Sequence, residues 1–452
     1  MLKVFESFAG LGSQSIALEN IGIEHEVVAI SEIDKYATLS YDALHEKDIE
    51  VEEKSEEYML EYLTNRNIGR NEKSKKCIIN KKEIKPLYEA SVRQNNLGDI
   101  SLIDVKDIPQ HDLFTISSPC TDWSGAGKAE GGIRTCKECG HKFSPFQTRF
   151  KTVCPNCNNT DISKTRSSLL VESAKVIEGC KPKYLFMENV KNLLSKKFKP
   201  FFDERCKYLE SLNYTNYYAV LNGKDFGIPQ NRERVFMISI LGEHEPYEFP
   251  TGFPLELRLK DVLEENVDEK YFLPQELQDR FLPKDIQTPK DLQAVRICGL
   301  FDTEKSRHQA ASVWDKNYLA PTLDTAQGGY REPCIVETPC IAASRGRNPD
   351  NPGDRRAGIE LEQRLEINRE GMCNTLTSVT KDNYVIQSDF MIRRLTPREC
   401  MRLMGFKDCQ IDKLYSLGIS DTQMYKMAGN SIIVDVLEYI FRNLFLKGDN
   451  NA

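Results

Sequence analysis

Leu2-Lys3-Val4-Phe5-Glu6-Ser7-Phe8-Ala9-Gly10-Leu11-Gly12-Ser13 reads as a strand running into a glycine turn, and residues 15–20 continue it as a helix. Strand, glycine turn and helix in that order open a doubly wound α/β sheet and let a ligand approach bare backbone at the turn. A glycine turn alone serves equally as plain structure. The next strand adds weight to the ligand reading. Residues 26–31 end at Glu32, about 20 residues past the glycines, where an acid can take ribose hydroxyls.

Farther out, Asp112-Leu113-Phe114-Thr115-Ile116 reads as a buried strand. It delivers Ser117-Ser118-Pro119-Cys120-Thr121-Asp122-Trp123-Ser124 to the mouth of the sheet, with Gly125-Ala126-Gly127 behind. A thiol there is either a small packing residue or a nucleophile. Lys183-Tyr184-Leu185-Phe186-Met187 is another strand, ending in Glu188-Asn189-Val190. If it runs parallel to the Pro-Cys strand, Glu188 stands at the same carboxyl edge as Cys120, where such sheets hold ligands. A strand-end Glu is otherwise a cap. Residues 217–222 and 234–239 form a further pair. Between them, Gln230, Arg232 and Arg234 share a face if the segment is extended. That row suits a phosphate and a base edge, or a surface salt-bridge row. Asp99, in Gly98-Asp99-Ile100 at the end of a third strand, can accept from an exocyclic amine or cap a helix.

The 452 residues allow two domains with insertions. Hydrophobic residues at 40% and charged residues at 29% place the chain among ordinary globular proteins. No apolar run reaches membrane-span length and no signal peptide precedes the first strand, so a cytoplasmic protein is expected. There the 14 cysteines argue for thiols and metal rather than disulfides. A net charge of −7 does not speak for nucleic acid, yet phosphate contacts need only a local basic surface. Lys181, Lys183, Lys191, Lys196, Lys197 and Lys199 form one such cluster, and Arg393, Arg394, Arg398 and Arg402 another.

Residues 46–90 are highly charged and read as a partly helical surface insertion. Cys136-Lys137-Glu138-Cys139 and Cys154-Pro155-Asn156-Cys157 are two CxxC knuckles separated by 14 residues, the spacing of a zinc ribbon inserted at 133–160. From 246 the αβ alternation gives way to Pro, Gly and short β-branched runs, which marks a second domain over 246–425. Residues 327–331 and 344–348 read there as flexible basic loops. Thr396, Pro397 and Glu399 are a helix start. Residues 428–437 read as a loop opening a terminal helix, within a last segment 426–452.

In this order the segments resemble the DNA (cytosine-5) methyltransferases. The match runs from Phe5-Glu6-Ser7-Phe8-Ala9-Gly10-Leu11-Gly12 through Glu32, Gly98-Asp99-Ile100, Pro119-Cys120 and Glu188-Asn189-Val190. It continues through Gln230-Asn231-Arg232-Glu233-Arg234 and Arg394-Leu395-Thr396-Pro397-Arg398-Glu399 to Gly429-Asn430-Ser431. The resemblance implies a Rossmann-like, S-adenosylmethionine-dependent methyltransferase sheet domain, here 1–245, and a smaller, mostly β and irregular target-recognition domain. It implies that the terminal helix returns to the sheet. It also implies cofactor contacts at Phe8, Gly10, Leu11, Gly12, Glu32, Asp99, Ile100, Leu169, Asn430 and Ile432, with Pro119 shaping the nucleophile's turn.

The implied chemistry starts with Cys120 adding to carbon 6 of a flipped cytosine, which makes carbon 5 able to take a methyl group. Glu188 supplies a proton at N3, and Arg232 and Arg234 hold the base carbonyl and a phosphate. The expected partner is double-stranded DNA, acted on by a monomer, with no membrane. The setting is restriction-modification, with a cognate endonuclease acting on the same site, or a prophage-type orphan. Two alternatives remain open at this level: a tRNA cytosine methyltransferase and a non-catalytic zinc-ribbon DNA-binding protein. The chain departs from the family pattern at Ser13, where a glycine is frequent, at the charged insertion, and where the ribbon interrupts the catalytic loop.

Overall fold

The structure, a computed structural model, describes residues 1–70, 76–118, 134–146, 153–163, 169–272, 274, 293–299, 312–325, 332–337, 341–347, 362–367, 383–385 and 391–446. Pro119, Cys120, the loop after them and residues 327–331 lie outside the described residues.

The chain divides into two compact units. The first holds residues 1–257, 322–327 and 397–452. Its strands are β1 (Leu2–Ser7), β2 (His25–Ser31) and β3 (Leu113–Ile116), then three short ribbon strands β4 (Arg134–Cys136), β5 (Lys142–Phe143) and β6 (Ile162–Ser163), and finally β7 (Tyr184–Val190), β8 (Tyr214–Asn222) and β9 (Glu233–Leu241). Six of them form one sheet in the order β2-β1-β3-β7-β9-β8. β1 pairs in parallel with β2 and β3, and β3 in parallel with β7, whereas β9 is antiparallel to both β7 and β8. The sheet is therefore mixed. The link between β8 and β9 is too short for a crossover helix, and a short link joins only antiparallel neighbours. Winding reverses at β1, with β2 on one side and β3 on the other. That switch opens a crevice at the carboxyl ends of β1 and β3.

The helices are α1 (Ser13–Asn20), α2 (Lys35–Leu44), α3 (Glu56–Asn65), α4 (Lys81–Arg93), α5 (Leu169–Cys180) and α6 (Lys199–Ser211), followed by Pro397–Arg402, Asp408–Ser416, Asp421–Asn430 and Val434–Phe445. Alternation along β7 assigns them to layers. Leu185 and Met187 join Phe5, Phe114, Ile116, Val235 and Met237 in a core closed by Leu170, Val171, Ala174 and Ile177 of α5 and Phe201 and Phe202 of α6. Phe186, one residue out of phase, meets Phe441 of the last helix with ring centroids 5.4 Å apart. Both sheet faces are covered, so the central strands read as near-continuous apolar runs.

Three sequence expectations change here. Residues 46–90 are partly helical, as expected, but not only surface: Met59, Leu63, Ile68, Ile84, Leu87 and Tyr88 form a core of their own between α3 and α4. Arg93 of α4 also reaches Asp42 of α2 at 2.6 Å. The charged texture belongs to the outer face, where Lys81, Lys82 and Lys85 stand in solvent. Residues 97–100 are not a strand. Asn96 makes a single parallel bridge to Ile30, and Asp99 Oδ1 then accepts from Ser101 N at 3.0 Å, closing an Asx turn. Residues 428–430 are the last turn of a helix rather than a loop.

The second unit holds residues 258–321 and 328–396. Its described strands are β10 (Arg296–Gly299), β11 (Ser312–Trp314), β12 (Cys334–Glu337), β13 (Ile341–Arg347), β14 (Glu362–Ile367), β15 (Asn383–Val385) and β16 (Met391–Arg394). They form two sheets, β10-β11-β12-β16 and β14-β13-β15. Residues 344–347, read as loop, thus lie within β13. The unit is shorter than the 246–425 expected from texture. The segment 397–425 packs in the first unit instead, with Met401, Met404, Ile411, Leu414 and Met424 buried. Among the described residues no helix is long and apolar enough to cross a membrane.

Candidate active site

Phe8, Gly10 and Gly12 all take left-handed backbone angles, with φ of 56°, 57° and 70°. Alternating them coils the chain back over the end of β1. Phe8 N donates to Ser31 O at 2.7 Å. Gly10 N donates to Glu32 Oε2 at 2.9 Å, and Glu32 Oε1 accepts from Ile33 N and Asp34 N at 2.8 Å each. A carboxylate accepts about four hydrogen bonds, so three backbone donors leave one acceptor position. Burial, then the charge of Asp34, push the Glu32 carboxyl above its ordinary pKa, while the three N–H groups pull it back. The two glycines differ in purpose. A Cβ on Gly12 would stand 2.2 Å from His45 Nε2 and 2.6 Å from Tyr41 Cε2, so that glycine permits packing. A Cβ on Gly10 would find only Phe8 O, at 3.9 Å, so the space over that turn is open.

Beneath the turn lies a buried network that sequence reading did not single out. Glu6 accepts from Ser15 N and Oγ at 3.1 and 2.8 Å and from Tyr41 Oη at 2.8 Å. Burial pushes its carboxyl up to about 7, against those hydrogen bonds. Tyr41 lies against His45, whose Nε2 meets Leu11 O at 3.0 Å. Leu11 itself is buried under the turn.

Asp99 is buried and takes three short hydrogen bonds and one long one. Oδ1 takes Ser101 N and Oγ, and Oδ2 takes Asn67 Nδ2 at 2.9 Å and Arg70 Nη1 at 3.4 Å. Ile100 sits in the main core with Phe8 and Leu169 packed against it. Asn430 is exposed at the end of its helix, and Ile432 is buried.

Ile116, the last residue of β3, is in register with Met187 on parallel β7, so Ser117 leaves the sheet beside Glu188, which β7 still holds in pairing with Phe236 of β9. Two side chains pin the residues that lead to Pro119-Cys120. Asn189 Nδ2 donates to Ser118 O at 3.2 Å, and Gln14 Nε2 donates to Ser117 Oγ at 3.1 Å. Glu188 Oε1 lies 3.1 Å from Arg234 Nε, both side chains being largely buried. Burial raises the Glu188 carboxyl above its ordinary pKa, opposed by Arg234 and then Arg232.

Arg232 does not form a row with Arg234. β9 begins at Glu233, so Arg232 belongs to the preceding turn and points into the unit. Its guanidinium donates to Leu323 O at 2.9 Å, Gly429 O at 2.8 Å and Ser431 O at 2.9 Å. Gln230 works beside it, donating to Leu403 O at 2.7 Å. Backbone approach is so close that a Cβ on Gly429 would stand 2.1 Å from Asp324 O.

The four ribbon cysteines also come together. Their sulfurs all lie within 4.8 Å of one another, with Cys136–Cys157 at 3.5 Å and Cys139–Cys154 at 3.6 Å. Tetrahedral Zn–S bonds of about 2.3 Å put neighbouring sulfurs about 3.8 Å apart, so the set fits that ion. β4 is the middle strand of the ribbon sheet, and the knuckles close through Gly140 N→Cys136 O and Asn158 N→Cys154 O at 3.0 and 2.9 Å. Phe146 fastens the ribbon to the main core, its ring 5.3 Å from Phe201.

A sheet whose winding reverses at β1, with Glu32 hydrogen-bonded over the glycine turn and Glu188 buried on the strand beside β3, has the layout in which α/β enzymes hold a ligand at the carboxyl ends of their strands. The family described as C-5 cytosine-specific DNA methylase matches residues 57–138 and 155–446. The chain is 36% identical over 98% of its length to the type II methyltransferase M2.ScrFI of Lactococcus lactis subsp. cremoris, of which 99% is covered. It is 31% identical, over 98% of its length and 97% of the relative, to the orphan methyltransferase M.SPBetaI of Bacillus phage SPbeta. In fold it is similar to the Dnmt2 methyltransferase of S. pombe, with a TM-score of 0.53 at 16% identity over 99% of both chains. The chain belongs to the C-5 cytosine-specific DNA methylase family and is a DNA cytosine-5 methyltransferase.

Proposed function

We propose that this enzyme methylates carbon 5 of a cytosine flipped out of duplex DNA, as a restriction-modification or phage-type orphan methylase, with Cys120 as nucleophile and Glu188 as acid. The observation that carries the reading is Glu188: a buried carboxyl with a raised pKa, held by Arg234, on the strand next to the one that runs into Pro119-Cys120. Burial shifts that carboxyl toward its protonated form, from which it can give a proton to N3 of the base. Cys120 thiolate adds to carbon 6, the electron pair moves to carbon 5, and loss of the carbon 5 proton later expels the thiolate. Arg234 orients Glu188 and faces the base. Arg232 serves by locking residues 323, 429 and 431 in place.

Glu32 and Gly10 fit the ribose of S-adenosylmethionine, Asp99 and Ile100 its base, and the open space over Gly10 is the cradle between them. Phe8, Leu169 and Ile432 supply apolar walls, and Asn430 a polar edge. When bound, that cofactor supplies the methyl group from its sulfonium. Cys136, Cys139, Cys154 and Cys157 hold a structural zinc ion, and the second unit reads the target sequence.

The test is transfer of labelled methyl from S-adenosylmethionine to duplex DNA and, separately, to tRNA. Transfer to DNA that is lost in Cys120→Ser, with a covalent complex trapped on 5-fluorocytosine DNA, is the expected result. Glu188→Gln lowers kcat by about 10²–10⁴-fold. Transfer to tRNA alone, or an active Cys120→Ser enzyme, overturns the reading.

A further inference from the structure

The turn after α3 touches both loops that carry the proposed cofactor acids. Gly69 N donates to Ile33 O at 2.8 Å, one residue past Glu32. Asp99 N donates to Arg66 O at 2.9 Å. Asn67 Nδ2 donates to Asp99 Oδ2 at 2.9 Å, and Arg70 follows at 3.4 Å. There is no slack: a Cβ on Gly98 would stand 2.1 Å from Arg66 O. The α3–α4 core anchors this turn through Ile68, which is fully buried. Lys35 and Glu83, paired at 2.7 Å, tie the start of α2 to the start of α4.

We propose that Asn67 is a positioning residue for the cofactor's base: its side-chain amide sets the direction of the Asp99 carboxylate, and so the segment 46–90 tunes base selectivity at the cofactor site. The proposal rests on the reading of Asp99 as the acceptor of the exocyclic amine. The physical argument is one of acceptor bookkeeping. Oδ1 is committed to Ser101 through two short hydrogen bonds, whereas Oδ2 holds one short bond from Asn67 and one long one from Arg70 at 3.4 Å, so the Arg70 position on Oδ2 is the one a ligand amine can take. Of the two donors on Oδ2, Asn67 makes the short one, from a side chain fixed on a left-handed residue with φ of 55°. The short amide bond fixes the plane of the carboxylate and so the direction of the position that the long Arg70 contact now holds. Arg70 is longer and a third exposed, which makes it a charge partner rather than a geometric stop.

The left-handed backbone supplies a clean pair of variants. Asn67→Gly keeps the φ and deletes the amide, since glycine takes that conformation freely. Asn67→Asp keeps the shape and sets acceptor against acceptor. Binding is read by calorimetry with S-adenosylhomocysteine and with its inosine counterpart, whose base lacks the amine. Wild-type protein is expected to prefer the amine-bearing ligand. Asn67→Gly should shrink that preference by about tenfold, the worth of a hydrogen bond to a charged group, and Asn67→Asp by more. KM for DNA and kcat at saturating S-adenosylmethionine should stay within about twofold, and Asp99→Ala should abolish the preference. If Asn67→Gly weakens both ligands equally, the turn is merely structural and the proposal is overturned. If wild type and Asp99→Ala fail alike to distinguish the ligands, Asp99 does not read the base, and the proposal falls with that reading.

Discussion

The cofactor frame and the ribbon order themselves by opposite means. The frame of Phe8–Gly12, Glu32 and Asp99 rests on a sheet whose main core gathers Phe5, Phe114, Leu185, Met187 and the apolar faces of α5 and α6. The ribbon's own core is Cys136, Phe143 and Cys154, with Ile162 beside them. A cluster of that size cannot offset the entropy of ordering some thirty residues, at about 1–2 kcal/mol each. Four sulfurs within 4.8 Å are what it has instead. With the proposed zinc in place, one region is held by apolar area and the other by ligand bonds, so the two should respond to different insults.

The largest effect should follow metal removal. Structural zinc contributes on the order of 10 kcal/mol to such sites. A strong chelator, or Cys136→Ser with Cys154→Ser, should therefore erase hydrogen-exchange protection in β4–β6. Protection in β1, β3 and β7 should survive. Equal loss in both regions would mean that the ribbon is a keystone of the sheet unit and not a separately ordered insert.

A smaller effect should separate the two arginines. Arg232→Ala strands the carbonyls of Leu323, Gly429 and Ser431 in a buried place and should cost about 4 kcal/mol in urea unfolding. Arg234→Ala removes a cation that lowers the Glu188 pKa, and the stranded carboxyl can shed its buried charge by protonating, so the loss of stability should be clearly smaller than for Arg232→Ala. The loss of Arg234 should appear in kcat and in a pH profile shifted upward. Similar unfolding midpoints for the two variants would contradict the assignment of Arg232 as a latch.

A further effect, confined to one pH range, concerns Glu6. Its pKa rises from 4.5 to about 7 on folding, so between those values the folded chain binds more protons than the unfolded one. Stability from this group is intact below about pH 4.5, declines as pH climbs to about 7, and stays reduced above. Glu6→Gln imitates the protonated carboxyl. It should match wild type near pH 4 and exceed it by on the order of 3 kcal/mol at pH 8. His45, lowered to about 4 by burial, acts in the opposite sense but equally in both proteins, and so cancels from the difference. A stability gap that does not change with pH would show that Glu6 titrates as an ordinary carboxylate.

Sequence reading located elements where the signal is local. The β1 strand, the glycine turn and Glu32 lie within about thirty residues of one another and meet in the fold, and the four knuckle cysteines, which carry their own spacing, come together. It failed where the partner is remote in sequence. The Gln230, Arg232 and Arg234 row looked uniform, yet Arg232 is spent on carbonyls 91 to 199 residues away. Asn67 and Gln14 carried no motif at all, because one amide on a turn and one at a helix start look like any surface residue until Asp99 and Ser117 are brought to them. The charged texture of residues 46–90 reported the outer face of α4 and concealed the inner one.

What the amino-acid order settles without help is the set of local preferences: which runs are strands, where backbone must turn left-handed, which four thiols share a metal-type spacing, and which family's motifs stand in series. What only the folded chain decides is the direction in which a polar group is used. Strand β9 enters antiparallel and leaves Arg232 outside the ladder while Arg234 stays within it. A hydrogen bond depends on two groups meeting at about 3 Å, and nothing in the neighbourhood of one of them along the chain specifies the other.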